Sequence, residues 1–272
     1  EGAASGGDFD PTKVTGNFAP IYNDLSTDVD VAFNGHTHQL YSWKGRNGAP
    51  LLQAASYGTH LAQVDLAYDT RSAQLCSTDA KTVAAPKQAN LADPVIARIN
   101  SDTEAARKQA DVIGAKVIGR ATAPITTASD AQDSSFGSSV RNRESAMSNM
   151  VAQMFKDTLG KDDPNFIGIQ NPGGTRASLQ SGEITYKDAA LVLPFANSLM
   201  TTTVTGEQFK QVLEEQWQHD EKGQVPSRPF LSLGLSNNVS YTYDENLPEG
   251  QRITSVWVNG KPIDPKASYT VG

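Results

Sequence analysis

A single cysteine, Cys76, stands in the 272 residues. One thiol cannot close an internal disulfide, so burial rather than cross-linking must hold the fold. Set among small polar residues, Cys76 is expected to be a half-buried structural thiol. Long apolar runs are missing as well. No stretch of about 18 apolar residues occurs, which excludes a membrane-spanning helix. Basic excess is also lacking: 23 Lys and Arg are set against 30 Asp and Glu, for a net charge of −7. The basic residues are dispersed, which argues against a nucleic-acid surface but leaves room for a local cationic pocket. There is no initiating Met and no signal peptide; a removed leader or a cut-out piece both begin this way. Internal repeats and long low-complexity segments are absent. What is present is an apolar fraction of 38% with scattered aromatics, in a length that suits one large or two ordinary domains.

Apolar periodicity divides the chain. Residues 1–20 are rich in Gly and Ala and carry no strand or cap signal. Val29 to Phe33 reads as a buried strand emptying into a tight loop at Asn34-Gly35. Strands are predicted at Pro50 to Ala54 and at Leu61 to Tyr68, with Leu61, Val64, Leu66 and Tyr68 as the apolar positions. Asp93-Pro94 is a helix start, with Asp as N-cap and Pro in the first turn, and Gly114 is its stop. The polar stretch Gln88 to Asp93 is the expected boundary. The reading divides the chain into a β-rich unit at 1–90, a linker helix at 91–114 and an α/β unit at 115–272.

Within the last unit, Val117 to Ala121 reads as a strand and Ser129 to Ser139 as a polar loop. Glu144 to Leu159 reads as an amphipathic helix with Met147, Met150, Val151, Met154 and Phe155 on its apolar side. Phe166 to Ile169 reads as a buried strand opening into Asn171-Pro172-Gly173-Gly174-Thr175-Arg176. A further helix is expected over Thr205 to Gln218, then hairpins from Val239 to Tyr269 with Asn259-Gly260 as a turn.

Four places carry chemistry. Asn34-Gly35-His36-Thr37-His38 puts imidazoles at i and i+2, so that both can face one site while Thr37 turns away. Neutral imidazole is the commonest side-chain ligand of divalent transition metals. A solvated loop with incidental histidines has the same spacing. Asn171 to Arg176 offers a Gly pair for close approach of a ligand and an Arg to meet an anion or stack on a ring. A plain turn with a surface Arg is the alternative. Val140-Arg141-Asn142-Arg143-Glu144 is a basic cluster at a helix start, and Leu193-Pro194-Phe195-Ala196-Asn197 is either a strand terminus with a core Phe or part of a site. His60 reads as structural or at a rim, and His219 as solvated.

Val29 through His38 resembles the last metal-binding motif of calcineurin-like metallophosphatases, and Leu51-Leu52-Gln53-Ala54-Ala55-Ser56-Tyr57-Gly58 resembles the segment after that motif in 5′-nucleotidases and UDP-sugar hydrolases. Arg141 or Arg143 with Glu144, then Asn171 to Arg176, Glu183-Ile184-Thr185-Tyr186 and Leu193 to Asn197 are similar in order to motifs of that family's C-terminal domain. Pro172, Thr175 and Ala196 stand where the family pattern has Gly, Ile and Gly. Ile263 to Val271 resembles the strand before the family's second stacking ring, which would lie beyond Gly272. Glu1-Gly2 resembles the residues just after another ligand histidine.

The resemblance implies an α+β fold: part of a metallophosphatase β-sandwich, a bridging helix, then a mixed α/β substrate-recognition domain that swings against the first. It implies two divalent ions, Zn, Mn or similar, one on His36 and one on His38. The remaining ligands and the catalytic residues would precede Glu1, so the chain alone is expected to be inactive and need not retain a metal. It implies that Arg141, Asn171, Gly174, Arg176 and Phe195 bind substrate, with Phe195 stacking on a base for about 1–3 kcal/mol. The parent would hydrolyse nucleotide phosphomonoesters in nucleotide catabolism outside the cytoplasm, whether secreted, periplasmic or at the cell surface. UDP-sugar or 2′,3′-cyclic-nucleotide hydrolysis, and a nucleoside-binding module without catalysis, are the alternatives. Expected partners are a nucleotide or nucleoside and no nucleic acid. An uncovered sheet edge would favour a dimer or pairing with the preceding segment.

Overall fold

A computed structural model of the chain describes residues 2–3, 5–128, 140–219, 223, 225–226 and 228–272. The predicted loop Ser129 to Ser139 and the first residue, Glu1, lie outside the described residues. The chain divides into two compact units, Glu1–Asn100 and Ser101–Gly272.

The first unit begins with a short 3₁₀ turn, Pro11–Lys13, and a helix α1, Phe18–Asp24, in the region that carried no signal in the sequence. Five strands follow: β1 (Ala32–Phe33), β2 (Leu40–Lys44), β3 (Pro50–Ala54), β4 (His60–Asp69) and β5 (Gln74–Ala84). The order β1-β3-β2 puts β3 in the centre, parallel to β1 and antiparallel to β2. Pro50 to Gln53 are buried in succession, the mark of a strand covered on both faces. Ala3, Phe18, Tyr41, Trp43 and Leu51 form its core, with Tyr41 stacked on Trp43 at 4.3 Å. β4 and β5 pair as a long antiparallel ribbon.

Three expectations for this unit are corrected. Val29 to Phe33 is a strand only at Ala32–Phe33, and Phe33 is 62% exposed, because β1 is an edge with two residues of pairing. Leu61, Leu66 and Tyr68 on β4 are exposed, since an alternating pattern shows that one face is apolar and not that another layer covers it. Cys76 on β5 is exposed rather than half-buried.

Helix α2 spans Pro94–Gly114, and its residues from Ser101 onward group with the second unit. Asp93 caps it as expected, accepting from Val95 N at 2.8 Å. The second unit then contains β6 (Val117–Ala121), α3 (Ala146–Leu159), β7 (Ile169–Gln170), β8 (Gly182–Thr185), α4 (Tyr186–Val192), β9 (Thr202–Thr205), α5 (Gly206–Glu214), β10 (Gly234–Leu235), β11 (Val239–Tyr243), β12 (Ile253–Val258), β13 (Lys261–Pro262) and β14 (Ser268–Val271). The fold is mixed α/β, with the strands in several small sheets.

Local chemistry explains these boundaries. Ser145 caps α3 through Ser148 N. Thr185 with Asp188 and Thr205 with Gln208 form reciprocal capping boxes at α4 and α5. Asn259 and Gly260, at φ of 53° and 72°, make the expected tight turn between β12 and β13. One core gathers Ile167, Phe209, Leu213, Ile253, Val256, Val258 and Tyr269. A second gathers Met147, Val151, Phe155, Leu179 and Val192 under α3. The i, i+4 row Met147-Val151-Phe155 is buried, whereas Met150 and Met154, expected on the same side, are exposed. The helix predicted to Gln218 ends at Glu214, whose buried carboxylate accepts from the backbone N–H groups of Arg252 and Ile253 at 3.1 and 2.6 Å. His219 therefore lies beyond the helix; it is exposed, as expected, and its Nδ1 lies 2.8 Å from Glu249 Oε1.

Candidate functional site

In the second unit, β7 delivers the chain into Asn171–Arg176. Gly174 N–H donates to Asn171 C=O at 2.9 Å, and Gly173 N–H to Asn171 Oδ1 at 3.3 Å, which folds the loop back on itself. Thr175 is buried and pins the loop from below. Its hydroxyl lies 3.1 Å from Ser148 Oγ on α3 and accepts from Gln170 Nε2 at 3.3 Å. A buried hydroxyl needs such partners, which accounts for a Thr at this position. The N–H of Arg176 donates to Val192 C=O at 2.9 Å and ties the loop to the end of α4.

On this scaffold the sequence-separated residues meet. A methyl group placed on Gly173 would lie 2.9 Å from Arg141 Nη1 and 3.5 Å from Asn171 Nδ2, so the Arg141 guanidinium rests on the glycine beside Asn171. Arg176 Nη1 donates to Gly173 C=O at 3.4 Å. The same guanidinium lies 5.8 Å from the centre of the Phe195 ring, a cation–π distance. Gly174 leaves space that Gln170 Nε2 fills, since a methyl there would lie 2.5 Å from it. Phe195 is 56% exposed and is therefore not a core residue. It follows α4, a helix that the sequence reading did not include. Ala196 holds a left-handed φ of 50° to turn the chain after the ring.

Arg141, Arg176 and Pro172 line a small cleft of about 30 Å³, with Ser145, Ser148 and Thr175 among its other walls. Burial, followed by the charges of Arg228 and Arg176, pushes the Arg141 guanidinium below its ordinary value. Cations held together in this way are relieved by an anion. Arg228 is a member that the sequence did not reveal. No motif surrounds it; the bond from Ser232 N–H to Arg141 C=O at 2.7 Å brings its segment alongside. Arg143, the other arginine of the basic cluster, is exposed and lines the cleft from its edge.

In the first unit, the loop after β1 carries the histidines. Asn34 N–H donates to Leu52 C=O at 2.7 Å, and its side chain donates to Tyr41 Oη at 2.9 Å. His36 and His38 take left-handed φ of 71° and 60°, with Thr37 N–H closing a turn onto Gly35 C=O at 2.8 Å. Both histidines are exposed, and Thr37 turns inward against Gln53. The alternation expected of a strand is thus produced by left-handed turns instead. Burial pushes the Tyr41 phenol up, against the bonds from Ala3 and Asn34.

Gln53 holds this loop. It is 1% exposed on the central strand. With its amide oriented to satisfy every neighbour, the oxygen accepts from His38 N at 2.8 Å and Gln39 N at 2.9 Å, and the nitrogen donates to Tyr41 Oη at 3.3 Å. A Gln following two leucines gives no hint of this in the sequence. The paired imidazoles fit part of a metal site: neutral nitrogen donors, exposed, on a clamped backbone. Among the described residues, no group of three or more His, Cys, Asp or Glu is arranged to hold a metal ion. His60 sits on β4 with Nδ1 3.2 Å from Thr59 Oγ1.

Residues 117–272 match the family model of the 5′-nucleotidase C-terminal domain. The chain is 24% identical over 259 residues to endonuclease YhcR of Bacillus subtilis (strain 168), covering 95% of this chain and 19% of that protein. It is 23% identical over 318 residues to a 2′,3′-cyclic-nucleotide 2′-phosphodiesterase/3′-nucleotidase of Yersinia enterocolitica, covering 98% and 48%. Its fold matches a 5′-nucleotidase precursor from Thermus thermophilus with a TM-score of 0.54 at 21% identity, over 89% of this chain and 48% of that one. The chain thus spans about half or less of the length of these relatives. With the matched region covering more than half of the chain and containing Arg141, Asn171, Arg176 and Phe195, the chain belongs to the 5′-nucleotidase C-terminal domain family.

Proposed function

We propose that this chain supplies the nucleotide-recognition surface, and part of the metal site, of a nucleotide phosphoesterase whose preferred substrates are nucleoside 5′-monophosphates. The convergence of Arg141, Asn171, Arg176 and Phe195 carries this reading. The two guanidiniums hold the anionic and ribose side of the nucleotide by charge-assisted hydrogen bonds. Asn171, its Oδ1 committed to Gly173, presents its amide nitrogen to a ribose or phosphate oxygen. The exposed face of Phe195 stacks on the base. Gly174 keeps the loop close enough to Gln170 for this arrangement.

His36 and His38 would each hold one of two divalent ions. Such ions supply an activated water and neutralise charge on the phosphate. The chain's own contribution is to present neutral imidazoles on a backbone that Gln53 and Thr37 keep from relaxing. The likeness of the first unit to metallophosphatases and action outside the cytoplasm belong to the same reading. No helix of the described residues is long and apolar enough to cross a membrane.

Calorimetry of the chain with AMP and adenosine, with Phe195→Ala as the control, tests the recognition surface. Binding that survives Phe195→Ala undiminished refutes it. Assays of a longer protein containing this chain against AMP, UDP-glucose and 2′,3′-cyclic AMP test the substrate preference. Metal analysis by mass spectrometry, with and without His36→Ala, tests the metal site.

A further inference from the structure

The histidine loop has a neighbour at the same end of the first unit's sheet. β2 and β3 are antiparallel, so the start of β2, just after His38, lies beside the end of β3. The pairing continues one step beyond the strands: Ala55 N–H donates to Gln39 C=O at 2.8 Å. The chain then turns through Ser56 to Thr59. The N–H and the hydroxyl of Thr59 both donate to Ser56 C=O, at 3.2 and 2.9 Å. Thr59 C=O accepts from Ala85 N–H at 2.9 Å, which fastens the turn to the chain leaving β5.

Tyr57 stands in this turn. It is 84% exposed, so burial gives no reason for a ring here. Its φ is 57°, a left-handed conformation that is an outlier for a bulky side chain and that glycine takes without strain. Residues of this kind persist where their surroundings over-determine them, and they gather at functional sites. The Tyr57 ring is set against His38: the two ring centres are 5.6 Å apart and the planes inclined at 68°, an edge-to-face contact. One left-handed residue in each loop, His38 and Tyr57, thus brings the two rings together.

His38 needs such a neighbour. The outer torsion of a histidine side chain is broad, so an imidazole on an exposed loop sweeps its nitrogens through a wide arc. Metal-binding histidines are ordinarily oriented by a hydrogen bond from the second ring nitrogen. The His38 ring makes no hydrogen bond among the described residues, and an aromatic ring packs on it instead.

We propose that Tyr57 is a positioning residue, whose ring holds the His38 imidazole in the orientation that presents a nitrogen to a divalent ion. This rests on the metal reading of His36 and His38 given above. The ring alone performs the task, so phenylalanine replaces tyrosine here and alanine does not.

The test uses the full chain, isotope-labelled, with Zn²⁺ as the probe. Aromatic NMR spectra without metal, assigned with His38→Gln, come first. In Tyr57→Ala the His38 ring resonances should move, because the ring current of Tyr57 is lost, while those of His60 stay. Tyr57→Phe should keep them near their wild-type positions. Titration of the same samples with Zn²⁺ should show affinity falling about tenfold or more in Tyr57→Ala and by less than about twofold in Tyr57→Phe. Tyr57→Gly, which relieves the left-handed strain, should match the zinc loss of Tyr57→Ala with a melting temperature equal to that of the wild type or higher. His38 resonances unmoved by Tyr57→Ala overturn the proposal. Zinc binding by the wild type that is indifferent to Tyr57→Ala overturns it alone. A wild type in which Zn²⁺ leaves the His36 and His38 resonances undisturbed overturns the metal reading and this proposal with it, and the metal-free spectra still report whether the two rings touch. A Tyr57→Gly variant that melts lower with zinc affinity intact makes the ring a structural prop and overturns the proposal too.

Discussion

Replacing Gln53 by Met removes every polar contact of a fully buried side chain while nearly preserving its volume. In the native protein the amide oxygen accepts from two backbone N–H groups, of His38 and Gln39, at 2.8 and 2.9 Å. Leaving a buried donor unpaired costs about 1–3 kcal/mol. The two donors lie under an exposed loop, so water will reach at least one of them, and about 2 kcal/mol is the expected loss. Strain released can offset part of this loss: His36 and His38 are held at φ of 71° and 60°, and non-glycine residues in that region cost on the order of 1 kcal/mol or more, a cost that falls if the loop relaxes. Urea denaturation followed by Trp43 emission, with a denaturant slope of about 1–3 kcal/mol/M, should show the midpoint falling by about 1 M. Hydrogen exchange should show His38 and Gln39 amides losing protection ahead of the rest of the first unit. Gln53→Glu keeps the acceptors for both amides and should retain part of their protection. A midpoint shift below about 0.2 M, with the two amides still protected in Gln53→Met, would refute the clamp.

Arg141→Ala should weaken AMP binding by about 10- to 100-fold, the worth of a charge-assisted hydrogen bond, measured by calorimetry. It should leave the melting temperature without ligand unchanged or higher, because it relieves repulsion with Arg176 and Arg228. Ala196→Gly should stabilise the chain by about 0.5–1 kcal/mol, since an alanine at φ of 50° is strained where glycine is not; a lower melting temperature would contradict this. Asp188 is held below its ordinary value of 3.8 by the Thr185 hydroxyl first and the Thr185 N–H second. Its contribution to α4 is therefore complete above the unfolded-state value and is lost as pH falls through the lowered folded value. Asp188→Asn should be less stable than the wild type at about pH 6, and the two should converge in thermal melts by circular dichroism as the pH is taken well below 3.8.

Legibility in the sequence followed the range of the interactions. Asp93-Pro94 and Gly114 bounded α2, Val117 to Ala121 was the strand observed, and Asn259-Gly260 was the turn, because caps and tight turns depend on neighbours a few residues away. The same local rules were present at Thr185-Tyr186-Lys187-Asp188, but α4 has only seven residues and too little periodicity to separate it from an extended stretch. β2 and β5 went unread because their evidence is pairing with β3 and β4, which no window of sequence contains.

The candidate site divides in the same way. Residue types left a solvated loop, a plain turn or a core Phe open at these places, and the order of the motifs, through its resemblance to the family pattern, singled out His36, His38, Arg141, Asn171, Arg176 and Phe195 as candidates. Which arginine of the basic cluster lies on Gly173, whether Phe195 is core or surface, and which residues stand behind the site were decided by tertiary structure alone. Arg228 reaches Arg141 only through the packing of a segment 87 residues further along. Gln53 becomes a clamp only because β3 runs beneath the histidine loop. Burial and proximity are properties of pairs of segments, and a single segment read by itself carries neither.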